Sequence, residues 1–142
     1  MGETDGSVPR SFRLSRPTAE LLDAAAAGSS ESRNALAERL LAEGLRLENH
    51  PLIRFRPKAT GRRQPMVVGT RLSVHQVIST LRKSGGNVEE AASYFEIEPR
   101  LVHAALSYYA DFRDEVDQDA AFAALAEKQE LARWERQQAA LD

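Results

Sequence analysis

The sequence predicts a mainly α protein with minor β structure. Two observations support this prediction: the chain is rich in Ala, Leu, Glu and Arg but 6% aromatic, and apolar residues recur at helical spacing behind residues that start helices. No apolar run approaches the roughly 18 residues of a membrane helix. The start MGETDG fits neither a signal peptide nor a myristoylation site. We therefore expect a cytoplasmic protein that does not enter a membrane.

Charge is distributed unevenly, although the net charge of the 142 residues is −2. Residues 1–63 hold 11 Lys/Arg against 8 Asp/Glu, residues 64–113 hold five of each, and residues 114–142 hold three against eight. A basic front and an acidic tail indicate two surfaces for two different partners, although solvated faces would show the same gradient.

The sequence carries no catalytic or metal-binding motif. Without cysteine there is no thiol nucleophile and no thiolate metal site, and His50, His75 and His103 lie far apart, outside any metal motif. Nothing resembles a nucleophile with its base, a catalytic carboxylate pair or a glycine-rich phosphate loop. We therefore expect no cofactor, no metal and no enzymatic activity.

A short strand is predicted in residues 8–14, after seven residues that we expect to be disordered. Phe12 and Leu14 point to one side of this strand, and Ser11 and Arg13 point to the other. No neighbouring segment offers a second strand, because two helical patterns follow at once.

The first of these helices is capped by Ser15, has Pro17 in its first turn, and is ended by Gly28 in the left-handed conformation. The second is capped by Ser32 and reaches about Leu47. A strand and two helices of this length rarely close a core alone, and the backbone of the strand needs hydrogen-bond partners. The strand therefore pairs either with a later strand of the same chain or with its own copy, which would give a dimeric antiparallel ribbon over four helices.

A two-stranded ribbon fits the major groove of DNA, where base edges carry a readable hydrogen-bond code. Ser11 and Arg13 would then face the bases, while Ser32, Arg33 and Asn34 would present a helix N-terminus to a phosphate. The alternative is an edge strand whose charges face water and block aggregation.

The segment SFRLSRPTAELLDAAAAGSSESRNALAERLLAEGLRL resembles ribbon-helix-helix DNA-binding domains in its alternating strand, proline-led helix, Gly turn and Ser-Arg-Asn helix start. The resemblance covers residues 8–48 and implies an obligate dimer that acts as a repressor or antitoxin. Arg10 departs from the pattern because it falls on the apolar side near the strand start. We expect it to lie beyond the paired ribbon and to contact phosphate.

Residues 49–65 interrupt the helical pattern with three prolines and a glycine. Residues 52–55 predict a short strand and residues 66–68 its return, so the basic segment PKATGRRQ predicts a hairpin tip. Arg62 and Arg63 would contact phosphate there without reading sequence, unless the segment is a flexible solvated loop.

Three short helices follow, begun by Ser73, Asn87 and Pro99. The third is expected to bury the apolar side chains Leu101, Val102, Ala105, Leu106 and Tyr109. With the hairpin they make a helix-turn-helix-like module over residues 49–113, whose Arg100 and His103 would face DNA if the third helix reads bases. The acidic turn before that helix and the zero net charge fit a packing or dimerising module as well.

The stretches MVVGTRLSVHQVISTL and GGNVEEAASYFEIEPRLVHAALSYYADF resemble a small domain of unknown function found in VapB-type antitoxins. The resemblance covers about residues 50–113, and its hallmarks are Val-Gly-Thr-Arg before a capped Val-rich helix and a late Ala-Ala-Leu-x-Tyr-Tyr helix. It implies a PIN-like ribonuclease toxin as the partner protein, and it does not imply that this chain is an enzyme.

The tail, residues 114–142, contains a predicted long helix over residues 117–141. Its larger apolar residues are scattered rather than aligned, which is typical of a helix that becomes ordered against a partner. The alternative is a helix that packs back on its own domain. The expected partner-binding residues, with Trp134 as anchor, are Phe122, Leu125, Leu131, Arg133, Trp134 and Arg136.

If the partner is a PIN-like nuclease, a tail arginine can enter its cluster of metal-binding carboxylates. Arg133 and Arg136 are the candidates for this role, with Lys128 third. The leading hypothesis is an antitoxin that represses its own operon as an operator-bound dimer and inhibits the toxin with its tail. The alternative is a stand-alone dimeric transcription regulator whose tail serves oligomerisation.

Overall fold

A computed structural model describes residues 6–58 and 61–142 of the chain. Within these residues it contains six helices and one two-stranded antiparallel sheet, which confirms the prediction of a mainly α protein with minor β structure. The chain divides into two compact units, of which the first ends at Gly44 and the second begins at Leu45.

Helices α1 (Arg16–Ala27) and α2 (Arg33–Leu47) follow the N-terminal segment. The hydroxyl of Ser15 accepts a backbone N–H of the first turn of α1, in which Pro17 lies, and the hydroxyl of Ser32 does the same for α2. The predicted starts and ends of both helices are confirmed, because capping is decided by residues within one turn of the helix end.

The left-handed conformation predicted for Gly28 is wrong. Its φ is −91° and its ψ is 10°, because its N–H still bonds to the carbonyl of Ala24 and the chain leaves α1 through a right-handed turn. This glycine therefore ends the helix without using the conformation that glycine alone adopts freely.

Strands β1 (Ile53–Pro57) and β2 (Arg63–Val67) form the two-stranded sheet of the second unit. They pair antiparallel, which confirms the predicted hairpin. The strands extend further into the basic segment than the sequence indicated. Ile53 is fully buried, whereas Arg54 and Arg56 are exposed, as the two-residue repeat of a half-buried strand requires.

Helices α3 (Val74–Lys83), α4 (Val88–Phe95) and α5 (Pro99–Asp111) begin where the sequence predicted. The Oδ1 atom of Asn87 accepts the backbone N–H of Glu90, in the first turn of α4, at 2.9 Å. Glu96 turns the chain after α4 with a left-handed φ of 57°. A non-glycine residue in that region is uncommon, and here it makes the tight turn that brings α5 back against α3 and α4.

The burial of α5 differs from the prediction at two residues. Tyr108 is fully buried although it was not expected to be, and Leu106, expected in the core, is 39% exposed. The buried stripe runs through Val102, Ala105 and Tyr109, so Leu106 falls at its edge.

Helix α6 (Arg113–Ala140) is separated from α5 by Phe112 and starts four residues before the predicted position. Its first turns pack against α3 and α5 and bury Val116 and Asp119. Over the described residues, none of the helices combines the length and the apolarity that a bilayer crossing requires. The core of the second unit consists of Ile53, Val67, Val74, Val77, Ile78, Leu81, Ala91, Ala92, Val102, Ala105, Tyr108, Tyr109 and Val116.

Candidate functional site

The segment predicted to read DNA, residues 8–14, belongs to no helix or strand among the described residues of the single chain. Phe12 is 69% exposed and Leu14 is 47% exposed, and Ser11 and Arg13 between them are exposed as well. Because a strand needs a neighbouring strand for its backbone hydrogen bonds, this segment can become a strand when a second copy supplies one. The ribbon stays a prediction.

The polar residues around this segment lie at the surface. Arg10 is exposed and donates to the carbonyl of Pro9 at 3.2 Å. At the start of α2, Arg33 donates to Asp23 at 2.8 Å, and both side chains are more than half exposed, while Asn34 is exposed. Exposed pairs of this kind contribute about 0–1 kcal/mol, so Arg33 can exchange Asp23 for a phosphate at little cost.

Apolar side chains of the first unit are largely uncovered. Among its described residues, 6–44, Leu36 of α2 is the one buried side chain, and α1 has none. Contiguous exposed apolar groups usually mark an interface. The large apolar side chains exposed in this unit are Val8, Phe12, Leu14, Leu21, Leu40 and Leu41.

The hairpin residue Arg62 is held by α6 rather than projecting freely from the tip. Its Nε donates to Oδ1 of Asp119 at 3.0 Å, and its guanidinium lies 4.4 Å from the ring centre of Phe122. Arg63 donates to the backbone carbonyl of Phe55 at 3.1 Å. The two cations predicted to contact phosphate are thus both engaged within the second unit.

The Arg62 contact is accompanied by two others in which an acidic side chain of α5 or α6 meets a basic side chain from earlier in the second unit. Asp111 is the last residue of α5, and Glu115 and Asp119 lie one turn apart on one side of α6. Asp111 contacts Nε2 of the buried His50 at 2.8 Å, and Glu115 accepts from Nε of Arg46 at 3.0 and 3.1 Å. We name these three acids the acidic ladder.

The acidic ladder was missed in the sequence, although its spacing was visible there. Its basic partners lie at distant positions, and nothing local indicates which cation meets which acid. Burial raises the pKa of Asp119 above its usual value, and the Arg62 guanidinium offsets part of that rise. Burial also lowers the pKa of the half-buried His75, while the nearby Asp119 carboxylate opposes that shift. The charge of Asp119 therefore depends on its Arg62 partner.

The side of α5 that was predicted to read bases is exposed, and acidic residues precede the start of the helix. Arg100 and His103 are both exposed, and Arg100 donates to Oε1 of Glu98 at 3.0 Å. Like Arg33, Arg100 can exchange its exposed carboxylate for a phosphate at little cost, so the packing and the base-reading interpretations of this module both stay predictions.

The expected partner-binding residues of α6 divide between two faces of the helix. Leu131 and Trp134 continue the side on which Val116 docks against the core, by the helical spacing of three and four residues. The other expected residues lie on the opposite side of α6, where they are also spaced by about one or two helical turns. This second group combines apolar residues with cations: Phe122, Leu125, Arg133 and Arg136. Trp134 is 55% exposed and Leu131 is 56% exposed.

The docked side of α6 also lines two adjoining surface clefts of about 340 and 430 Å³ against α3. His75, Ser79 and Ala120 line both clefts, and the exposed Tyr94 borders the larger one. Beyond these clefts the helix is exposed on nearly all sides, so residues 125–140 have side chains available to a partner.

Within residues 6–58 and 61–142, no group of three or more histidine and acidic side chains is arranged to hold a metal ion. A family model described as a protein of unknown function (DUF433) matches residues 58–109, from the hairpin tip to the last turn of α5. No curated protein and no solved structure matches the chain. The description of the matching family names no activity.

Proposed function

We propose that this chain is a non-catalytic antitoxin that binds a PIN-like ribonuclease toxin and represses its own operon as a dimer. In this proposal residues 8–48 form a ribbon-helix-helix domain, residues 49–113 a helix-turn-helix-like module, and the remainder of α6 a partner-binding tail. The observation that supports it most is the uncovered apolar surface of residues 8–41, in a chain whose second unit has a complete core of its own.

Dimer formation follows from that uncovered surface. Burial of apolar area stabilises by about 25 cal/mol per Å², so six exposed large side chains favour a second copy strongly. Two copies of residues 8–14 would satisfy each other's backbone groups in an antiparallel ribbon. Phe12 and Leu14 would then lie against the helices, and Ser11 and Arg13 would point outward together.

DNA recognition would use this outward face. A ribbon enters the major groove, where Arg13 can donate two hydrogen bonds to guanine and Ser11 can pair with several bases. The start of α2 would orient the complex, because its free N–H groups and positive end attract a phosphate and Arg33 gives up a weak surface pair.

Toxin inhibition would use the exposed part of α6. Trp134 would anchor the helix in a pocket of the partner, since a desolvated Trp often dominates interface energetics. Arg133 and Arg136 lie on another side of the helix, so a toxin that covers both groups must surround it. One guanidinium would then pair with the toxin's metal-binding carboxylates, to which arginine binds through two parallel hydrogen bonds.

The DNA half of the proposal is tested with Arg13→Ala on the duplex upstream of the chain's own gene and on a random duplex. We expect a loss of about 1–3 kcal/mol on the upstream duplex and little change on the random one. Arg16→Ala is the matched control, because it removes the same charge three residues away and should weaken both duplexes alike. Equal losses from Arg13→Ala on both duplexes would contradict base reading.

The toxin half is tested with the complex formed by the chain and the product of the adjacent open reading frame. Alanine at both Arg133 and Arg136 should restore cleavage of a test RNA, because the carboxylates of the toxin would regain their metal. Alanine at both Arg71 and Lys83, which are exposed elsewhere in the second unit, gives the control with the same charge change. Unchanged inhibition in the first variant would contradict the insertion.

A stand-alone regulator is the second candidate. It is favoured by the alignment of Leu131 and Trp134 with the docked side of α6, because a second copy could cover that continuous face. Co-expression with the adjacent gene product separates the two candidates. A stoichiometric complex supports the antitoxin, whereas specific DNA binding without such a complex supports the regulator.

A further inference from the structure

The outward face of β1 carries two exposed arginines, Arg54 and Arg56, which we call the β1 arginine pair. Arg54 donates to the backbone carbonyls of Pro51 and Ile53 at 3.1 and 2.9 Å. The guanidinium of Arg56 makes no hydrogen bond or ion pair with the described residues. In the part of the chain that the structure describes, neither guanidinium meets a carboxylate, so both charges face solvent without compensation.

From the sequence, Arg62 and Arg63 were the cations expected to contact phosphate, whereas in the structure Arg54 and Arg56 are the exposed ones. Arg62 is closer to the tip, but its charge is compensated by Asp119 and covered by the Phe122 ring. The charge of Arg62 is therefore compensated, whereas those of Arg54 and Arg56 on β1 are not.

The β1 arginine pair is held on a rigid backbone. Both residues are paired with β2 in the antiparallel ladder, Arg54 opposite Met66 and Arg56 opposite Gln64. Residues two apart on one strand face are separated by about 6.6 Å. One strand of duplex DNA carries a phosphate charge for about every 3.4 Å of helix axis, so two cations at this separation can meet neighbouring phosphates. Two fixed cations at this spacing suit a polymer with regularly repeated negative charges.

We propose that the β1 arginine pair binds the phosphate backbone of double-stranded DNA, which gives the second unit a sequence-independent DNA contact of its own. This inference rests on the DNA binding in the proposed function and extends it to a second surface. The cations that contact DNA in this inference are Arg54 and Arg56, and not Arg62 and Arg63.

Duplex DNA fits this face better than single-stranded RNA does. Proteins that hold single strands usually stack bases on exposed aromatic rings. The aromatic residue of β1, Phe55, lies between the two arginines in sequence and points to the other side of the sheet, where its ring approaches that of Tyr108. The outward face therefore offers charge without a stacking platform, which suits backbone contact.

The test measures binding of the full-length chain to a random-sequence duplex over a range of salt concentrations. The variant carries Arg54→Gln and Arg56→Gln, which keep polar side chains on the strand and remove two charges. Each phosphate contact contributes about 0.9 to the slope of log affinity against log salt, so the slope should fall by about two per protomer. The affinity at low salt should fall several-fold, and equally on the duplex upstream of the gene.

The control variant carries Arg71→Gln and Lys83→Gln, two exposed residues of the same unit that undergo the same change in net charge. It should keep the slope of the wild type. Thermal unfolding of both variants checks that the hairpin is intact, and sedimentation checks that the oligomeric state is unchanged.

The outcomes separate this inference from the proposed function. A slope equal to that of the wild type overturns the phosphate contact, even if Arg13→Ala still abolishes specificity. A fall in slope together with a lack of upstream specificity supports the contact and overturns the proposed repressor. A changed oligomeric state, or an equal loss on a single-stranded RNA of the same length, assigns the pair to another partner and overturns the inference.

Discussion

The two units of this chain differ in how they use their apolar residues. The first, residues 6–44 in the described part, buries one side chain and exposes six large apolar ones. The second closes a core of thirteen buried residues around α3, α4 and α5 and fastens α6 to it through the acidic ladder. The second unit has therefore what a domain needs to be stable alone, whereas the first has an apolar surface that a second copy would cover.

This difference would allow one chain to dimerise through its first unit and to bind another protein through its second, as proposed above. A short strand and two helices rarely bury enough surface, and dimerisation supplies the missing area without lengthening the chain. The second unit, which needs no such help, can leave most of α6 exposed for another protein. The following predictions are ordered by the size of the expected effect on this contrast.

The largest effect is expected from Phe12→Glu, which would place a charge where two copies meet. Removing a buried Phe costs about 3–5 kcal/mol per side chain, and burial of an unpaired charge adds to that cost. Sedimentation should show a monomer of 15.7 kDa, and binding to the upstream duplex should disappear while the second unit still unfolds cooperatively. A dimer of unchanged stability would contradict the claim that the first unit needs a second copy to cover its apolar surface.

The second-largest effect is expected from a substitution in the core of the second unit. Tyr108→Ala removes a fully buried ring that packs against His50 and Phe112, with ring centres 5.1 and 4.8 Å away. We expect a loss of about 3–5 kcal/mol in urea unfolding of the second unit, with dimerisation retained. Tyr94→Ala, at a residue that is 74% exposed, is the control and should change stability by less than about 0.5 kcal/mol.

The third effect concerns the acidic ladder. Arg62→Gln leaves the buried Asp119 carboxylate without its cation, so we expect a loss of about 1–3 kcal/mol at pH 7. The pKa of Asp119 should then rise further above its usual value. Because an acid with a raised pKa binds protons preferentially in the folded state, the penalty should shrink as the pH falls and Asp119 becomes protonated.

The double variant Arg62→Gln with Asp119→Asn checks this reading. It removes both charges, so its unfolding free energy should be higher than that of Arg62→Gln at pH 7. A pH-independent penalty in the single variant would show instead that Arg62 acts through its packing on Phe122.

The smallest effect is expected at His75. Burial lowers the pKa of this histidine below its usual value of 6.5, so the unfolded chain takes up a proton at a higher pH than the folded chain does. Its contribution to stability is therefore complete above about pH 6.5 and decreases as the pH falls through the folded-state pKa. His75→Gln should flatten the stability curve between pH 7 and pH 5, as measured by urea unfolding at several pH values.

Local signals in the sequence were sufficient for most helix starts. Ser15, Ser32, Ser73 and Asn87 each act within one turn, so the residues that decide the cap are adjacent in sequence. The start of α6 could not be placed in the same way. The boundary at Phe112 carries neither glycine nor proline, and the packing of Val116 against the core determines how far α6 belongs to the second unit.

The exposure of several candidate residues could be predicted from the sequence, whereas their contacts with distant side chains could not. Ser11, Arg13 and Trp134 are exposed, as a binding residue must be. Arg62 has the same composition around it as Arg56, but its partner Asp119 lies 57 residues away, and this tertiary contact is invisible in a run of basic residues. The structure therefore changes which hairpin cations are available.

Hydrogen exchange at the backbone amides of residues 10–14, followed through a dilution series of the full-length chain, tests the dimer most directly. If two copies pair through this segment, its amides are protected at high protein concentration and lose protection on dilution, and Phe12→Glu removes the protection at every concentration. Protection that is independent of concentration, or fast exchange in a chain that is nevertheless dimeric, would contradict the account.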